Sequence, residues 1–241
     1  MPDMATSKHF QAWRQRGLFF LILLAFAVSA HFGYAAIHQD RVLFRRAEQQ
    51  FQAGNPAQAM HLYQAALDLG LQWPQALIRV VEAALASGNE AAAEQGLNNL
   101  LQSRVRPLPP ELRNLAGLFD RFGRPELARE LLEHYPRQLL ASPDLSLYLA
   151  GLYRRAEWFH DAELLYRRLL DVPGFQEIAA LELAVTYLAM GRTEDAESLL
   201  RTSLETAPDN RELRIHLARV LTGQGRFHEA IEEYKILLGD S

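Results

Sequence analysis

Alanine returns at a fixed interval along most of this chain. Ala59, Ala93, Ala128, Ala162, Ala196 and Ala230 are spaced by 34 residues, with a single step of 35. A second column keeps the same interval: Ala47, Val81, Ala116, Ala150, Ala184 and Ala218. A third holds Gly54, Gly88, Gly123, Glu157, Gly191 and Gly225. A fourth alternates Tyr63, Tyr166 and Tyr234 with Leu97, Leu132 and Leu200. A chain registered in this way builds one supersecondary unit many times over, and stacking buries the face that one unit alone cannot.

The blocks run 40–73, 74–108, 109–142, 143–176, 177–210 and 211–241. Within each block, positions 4, 7, 8 and 11 share one face of a helix, because 3.6 residues make a turn. Positions 20, 24, 27 and 28 share one face of a second helix. A glycine at position 15 supplies the backbone reversal between them. Small residues at positions 8 and 20 let the two helix axes approach closely. Pro173 and Pro208 end second helices before the next block begins, and Pro136 shortens the second helix of the third block. Arg46 takes an apolar slot in the first block.

This register over residues 40–241 resembles the tetratricopeptide repeat family. The match is best over 177–241, at Leu183-Ala184, Tyr187, Gly191, Ala196 and Pro208, then Leu217-Ala218, Leu221, Gly225 and Ala230. The family's tryptophan at position 4 is missing; the column reads Leu43, Leu77, Leu112, Ser146, Ala180 and Arg214. The resemblance implies an all-α fold, a right-handed superhelical solenoid of about six hairpins. Its concave face would be lined by the first helix of each repeat.

Residues 17–37, GLFFLILLAFAVSAHFGYAAI, carry no Asp, Glu, Lys or Arg. As a helix they reach about 30 Å, enough to cross a bilayer core. A cleaved signal peptide is the competing reading, since Val28-Ser29-Ala30 offers small residues for a signal peptidase. Residues 1–16 hold Lys8, Arg14 and Arg16, and Arg41, Arg45 and Arg46 follow the segment, so the flanking charges balance. A free amino terminus and a long following domain favour 1–16 in the cytoplasm, 17–37 as a transmembrane helix and the repeats in the periplasm of a bacterial envelope. His31 reads as a neutral histidine near the far interface.

Little points to chemistry. The net charge is −4, and the segment before the repeats contributes three basic residues against Asp3, so the repeats are more acidic still. Nucleic-acid binding needs clustered lysine and arginine instead. The absence of cysteine removes disulfides, thiolate metal sites and a cysteine nucleophile. The eight histidines form no ligand pair, and His216 and His228 fall on different helices of one hairpin. No phosphate-cradling loop and no nucleophile elbow is present. The expectation is a binding protein, not an enzyme, with no cofactor and no metal.

The groove is then the expected site. First-helix positions 2, 5, 6, 9, 12 and 13 point into it, which selects Arg79, Glu82, Arg113, Asn114, Gly117, Arg121, Tyr148, Gly151, Arg154 and Arg155. The arginines are placed to fork onto peptide carboxylates, and the two glycines leave room for a ligand backbone. The alternative is an ordinary solvated helix face. The lysine and asparagine pattern by which some family members hold a C-terminal carboxylate is not matched. In the last repeat, Ile231, Tyr234 and Leu238 form an apolar face expected to dock a second copy or another subunit. The expected partners are proteins or peptides in the groove and the membrane at 17–37. The role is a scaffold of an envelope assembly, secretion, polysaccharide-export or maturation complex. A periplasmic holdase chaperone and a purely structural subunit are the rival readings.

Overall fold

The computed structural model describes residues 38–239, apart from 72 and 105. Among them the chain is helical throughout, with no strand. The helices are α1 (Gln39–Gln52), α2 (Pro56–Asp68), α3 (Pro74–Ala86), α4 (Glu90–Gln102), α5 (Pro109–Arg121), α6 (Pro125–His134), α7 (Pro136–Ala141), α8 (Pro143–Arg155), α9 (Phe159–Leu170), α10 (Gln176–Ala189), α11 (Thr193–Thr206), α12 (Arg211–Gly223) and α13 (Phe227–Leu238). No helix among the described residues is long and apolar enough to cross a membrane. The expected transmembrane segment, 17–37, lies outside them.

The chain divides into two compact units, one up to Leu100 and one from Leu101 onward. In each, consecutive helices pack as hairpins, and the alanine columns lie where the axes meet. Ala59, Ala128, Ala162 and Ala196 are fully buried, as are Ala47, Ala116, Ala150, Ala184 and Ala218. Val81 is the larger member of its column, and the space it needs comes from Gly96 on the facing helix. A Cβ on Gly96 would lie 2.9 Å from Val81 Cγ2, so the small residue has moved across the interface.

The first helix of each of the six repeats closes in the same way. At the first, Asn55 N–H donates to Gln50 C=O at 2.9 Å and Gly54 N–H to Phe51 C=O at 3.1 Å. This paired closure needs a left-handed residue at the second position past the helix. Glycine fills it at 54, 88, 123, 191 and 225, and Glu157 fills it at φ 62°. Glu157 obeys the turn, not its own preference: Trp158 N–H still reaches Tyr153 C=O at 2.8 Å.

About twelve repeat helices are expected from the register, and thirteen are present among the described residues. The extra one comes from Pro136. Its ring and missing N–H do more than shorten the second helix of the third block: they end α6 at His134, and α7 restarts at the proline itself. Tyr135, buried between them, leaves helical geometry at φ −115°.

Candidate functional site

Five of the residues selected from the sequence come together in the second unit. Arg113 on α5 and Tyr148, Gly151, Arg154 and Arg155 on α8 line a pocket of about 280 Å³, with Ile178 and Glu182 of α10 on its far wall. The helical period accounts for this: positions 148, 151 and 155 succeed each other on one face of α8. The turn before Trp158 then leads into α9, which brings Tyr166 to the same pocket.

The arginines of the pocket differ in their partners. Arg155 Nη2 lies 2.6 Å from Asp120 Oδ2 on α5. Arg154 Nη2 lies 3.2 Å from Glu182 Oε2 on α10. Arg113 has no carboxylate partner among the described residues. Its guanidinium lies over the Tyr148 ring, 3.8 Å from the centroid. Tyr148 is itself held, since its hydroxyl donates to Asp120 Oδ2 at 3.1 Å. Burial, then the Asp120 charge, push the Tyr148 hydroxyl up to about 12, so it remains a protonated donor at neutral pH. Tyr166 is likewise raised to about 12, first by burial and then by Glu182.

The two glycines serve different ends. The room above Gly117 is taken by the chain itself: a Cβ there would lie 3.3 Å from Arg113 Nη1. Gly117 therefore lets Arg113 fold back along its own helix onto Tyr148, and is no opening for a ligand backbone. At Gly151 a Cβ would stand in ordinary contact with Arg155 Nη1 and the Tyr166 hydroxyl, at 3.8 and 3.9 Å.

One donor in the pocket is unsatisfied. Arg154 Nε is buried and has no hydrogen-bond partner. Leaving such a group unpaired costs about 1–3 kcal/mol. Asp144 also lines the pocket, in the first turn of α8, where the positive end of the helix favours a carboxylate.

The remaining selected residues lie elsewhere. Asn114 and Arg121 are exposed and do not line the pocket. Arg79 and Glu82 belong to the first unit and pair with each other at 2.6 Å, while Arg79 also holds Glu48 at 3.0 Å. Tyr63 donates to the same Glu48 at 2.6 Å. Arg79, Arg154 and Arg155 thus spend their charge inside the protein. Ile178, Glu182, Asp144 and Leu147 were findable, since they occupy groove positions 2, 6, 2 and 5 of their blocks. Tyr166 was not, because position 24 reads as core. No group of three His, Cys, Asp or Glu suited to a metal occurs among the described residues.

Two family models match the chain, both described as a tetratricopeptide repeat, one over residues 40–120 and one over 187–240. No curated protein matches it. Several solved structures share the fold. A tetratricopeptide repeat protein from Parabacteroides merdae is 16% identical with a TM-score of 0.52, covering 84% of this chain and 80% of its own. The C-terminal part of a repeat protein from Cytophaga hutchinsonii is 15% identical with a TM-score of 0.57, covering 82% and 78%. YrrB, described as a tetratricopeptide repeat protein with an unusual peptide-binding site, is 13% identical with a TM-score of 0.53, covering 76% and 94%.

Proposed function

The chain belongs to the tetratricopeptide repeat family, a protein-interaction module, and we propose that its second unit holds an acidic segment of a partner protein in the pocket built on Arg113 and Tyr148. The observation that carries this reading is the state of Arg113: a groove arginine without an internal carboxylate, held over an aromatic ring on the wall of the pocket. A guanidinium in that position is a fork for a carboxylate. The existence of a peptide-binding site on YrrB, a protein of the same fold, is in keeping with it.

The probe is a labelled, glutamate-rich peptide titrated into the full chain and followed by fluorescence anisotropy. Binding is expected to weaken with salt, and Arg113→Glu is expected to reduce affinity by at least about tenfold, the scale of one charge-assisted hydrogen bond. A lysine-rich peptide of equal length should bind less. Equal binding of the two peptides, or no effect of Arg113→Glu in a chain with unchanged circular dichroism, disproves the assignment.

The scaffold is proposed to stand on the periplasmic side of a bacterial inner membrane, anchored through 17–37. The support is the uncharged apolar run of that segment. A reporter active only in the periplasm, fused after Ser241, is expected to work; activity of a cytoplasm-only reporter at the same site reverses the topology.

A further inference from the structure

One repeat has exchanged the sizes of two side chains, and the exchange leaves a hole. Position 8 is alanine in five blocks, and position 23 is leucine in four, at Leu62, Leu131, Leu165 and Leu199. The second block has the reverse, with Val81 at position 8 and Gly96 at position 23. Leu131 and Leu165 are buried in their repeats. Val81 is buried too, so it fills the interior of its own hairpin. The place of the leucine stays open. A cavity of about 330 Å³ lies there between α2 and α4, with Gly96, Met60 and Val80 on its apolar wall. All its lining residues belong to the first unit.

The rim is polar, and no Asp, Glu, Lys or Arg lines the cavity. Two later junctions between repeats carry ion pairs in this register. Glu163 at position 21 accepts from Arg192 at position 16 of the next block at 2.9 Å, and Glu197 accepts from Arg226 at 2.7 Å. Here the two positions are Met60 and Asn89. Asn89 is turned to its own helix, where its Oδ1 accepts the Ala92 N–H at 3.1 Å. The rim is instead made by His61 and Gln64 of α2 and by Gln95 and Asn99 of α4. Gln64 gives an N–H to Asp68 at 2.9 Å, which leaves its carbonyl oxygen to accept. Gln95 and Asn99 are exposed, and their side chains make no hydrogen bond among the described residues. They stand one helical turn apart and offer donors and acceptors together.

We propose that this cavity receives a leucine side chain from an uncharged segment of another protein. The register argues for the size and the aliphatic character, since four other repeats place leucine at this position. The rim argues for the setting. A leucine in a peptide brings an N–H and a C=O on either side, and each needs a partner once water is displaced. Primary amides supply both kinds, whereas an ionised side chain would find no counter-ion here. The site lies in a different unit from the Arg113 pocket and does not rest on it.

The probe is N-acetyl-leucinamide, one leucine with a peptide group on each side, titrated into the full chain carrying methyl-labelled methionine. Met60 reports, because it lines the cavity, and Met190 in the second unit is the control. The Met60 methyl signal is expected to move and saturate while Met190 stays still. N-acetyl-glycinamide should bind at least about tenfold more weakly, the worth of burying one leucine side chain. The blocked glutamate and lysine analogues should also bind more weakly than leucine. Gly96→Leu alone would strike Val81, whose Cγ2 lies 2.9 Å from the site of the new Cβ. Combined with Val81→Ala it restores the sizes of the other repeats, and the double variant is expected to keep its helicity and lose the shift. Ala92→Leu, which narrows the cavity without touching the hairpin interior, should weaken binding in the same way. A Met60 signal that the leucine probe leaves unmoved overturns the proposal. Equal binding of isoamyl alcohol, a branched chain without peptide groups, overturns it as well, because the amides then select nothing. So does a full chain that sediments as a dimer and becomes monomeric with Ala92→Leu, because the occupant is then a second copy.

Discussion

Phe119→Ala is expected to destabilise the chain by about 3–5 kcal/mol, the range for deleting a fully buried aromatic ring. Phe119 sits on α5 at position 11 of its block with no exposed surface. Its own carbonyl accepts the N–H of Arg124 at 2.8 Å in the closure of α5, so the ring and the turn are fixed together. A cavity there cannot collapse easily, because Ala116 and Ala128 already hold the neighbouring axes close. The control is Phe122, three residues on and 48% exposed. Phe122→Ala should change stability by no more than about 0.5 kcal/mol. Denaturant unfolding measures both. Since each hairpin touches only its neighbours, hydrogen exchange should locate the loss at α5 and the helices packed on it, and leave α12 and α13 protected. Equal effects of the two alanines would mean that the buried column does not carry the stability of the unit.

The repeat explains how much of this was legible in advance. A residue's burial follows from its place in the helical period, so the columns at positions 8, 15, 20 and 24 foretell core, turn and close approach without any long-range information. Even exceptions can be read from the frame: Glu157 adopts the left-handed conformation because the turn demands it. Partnership is different. Arg155 meets Asp120 across 35 residues of sequence and Arg154 meets Glu182 across 28. Nothing in a single-helix pattern says which carboxylate an arginine on a shared face will take. The helical frame therefore names residues that share groove positions but not which of their charges are taken up inside the protein, and Arg113 emerges only once the pairs are drawn. The role of Gly117 was hidden for the same reason, since a glycine that admits a neighbour's guanidinium looks identical to one that admits a ligand.

The same distinction, between a side chain placed and a side chain available, sets the second large effect. Tyr148→Leu should weaken binding of the glutamate-rich peptide nearly as much as Arg113→Ala, by about tenfold, although the substitution leaves every formal charge in place. The ring does two things for Arg113. It supplies a face for the guanidinium at 3.8 Å, an attraction worth about 0.5–2 kcal/mol. It also holds the cation in one orientation, so that less rotamer freedom is lost when the carboxylate arrives. The hydroxyl anchors the ring on Asp120, and Tyr148→Phe separates that contribution: it keeps the face, loses the anchor, and should fall between wild type and Tyr148→Leu. If platform and fork act as one unit, the double variant Arg113→Ala, Tyr148→Leu binds no worse than either single variant, a coupling that a double-mutant cycle reads directly. Gly117→Val should reproduce the loss from below, by pushing Arg113 off the ring without touching either residue. Strict additivity of the two losses, with Gly117→Val silent, would show that Arg113 meets the peptide without its platform, and the stacked geometry would have no part in recognition.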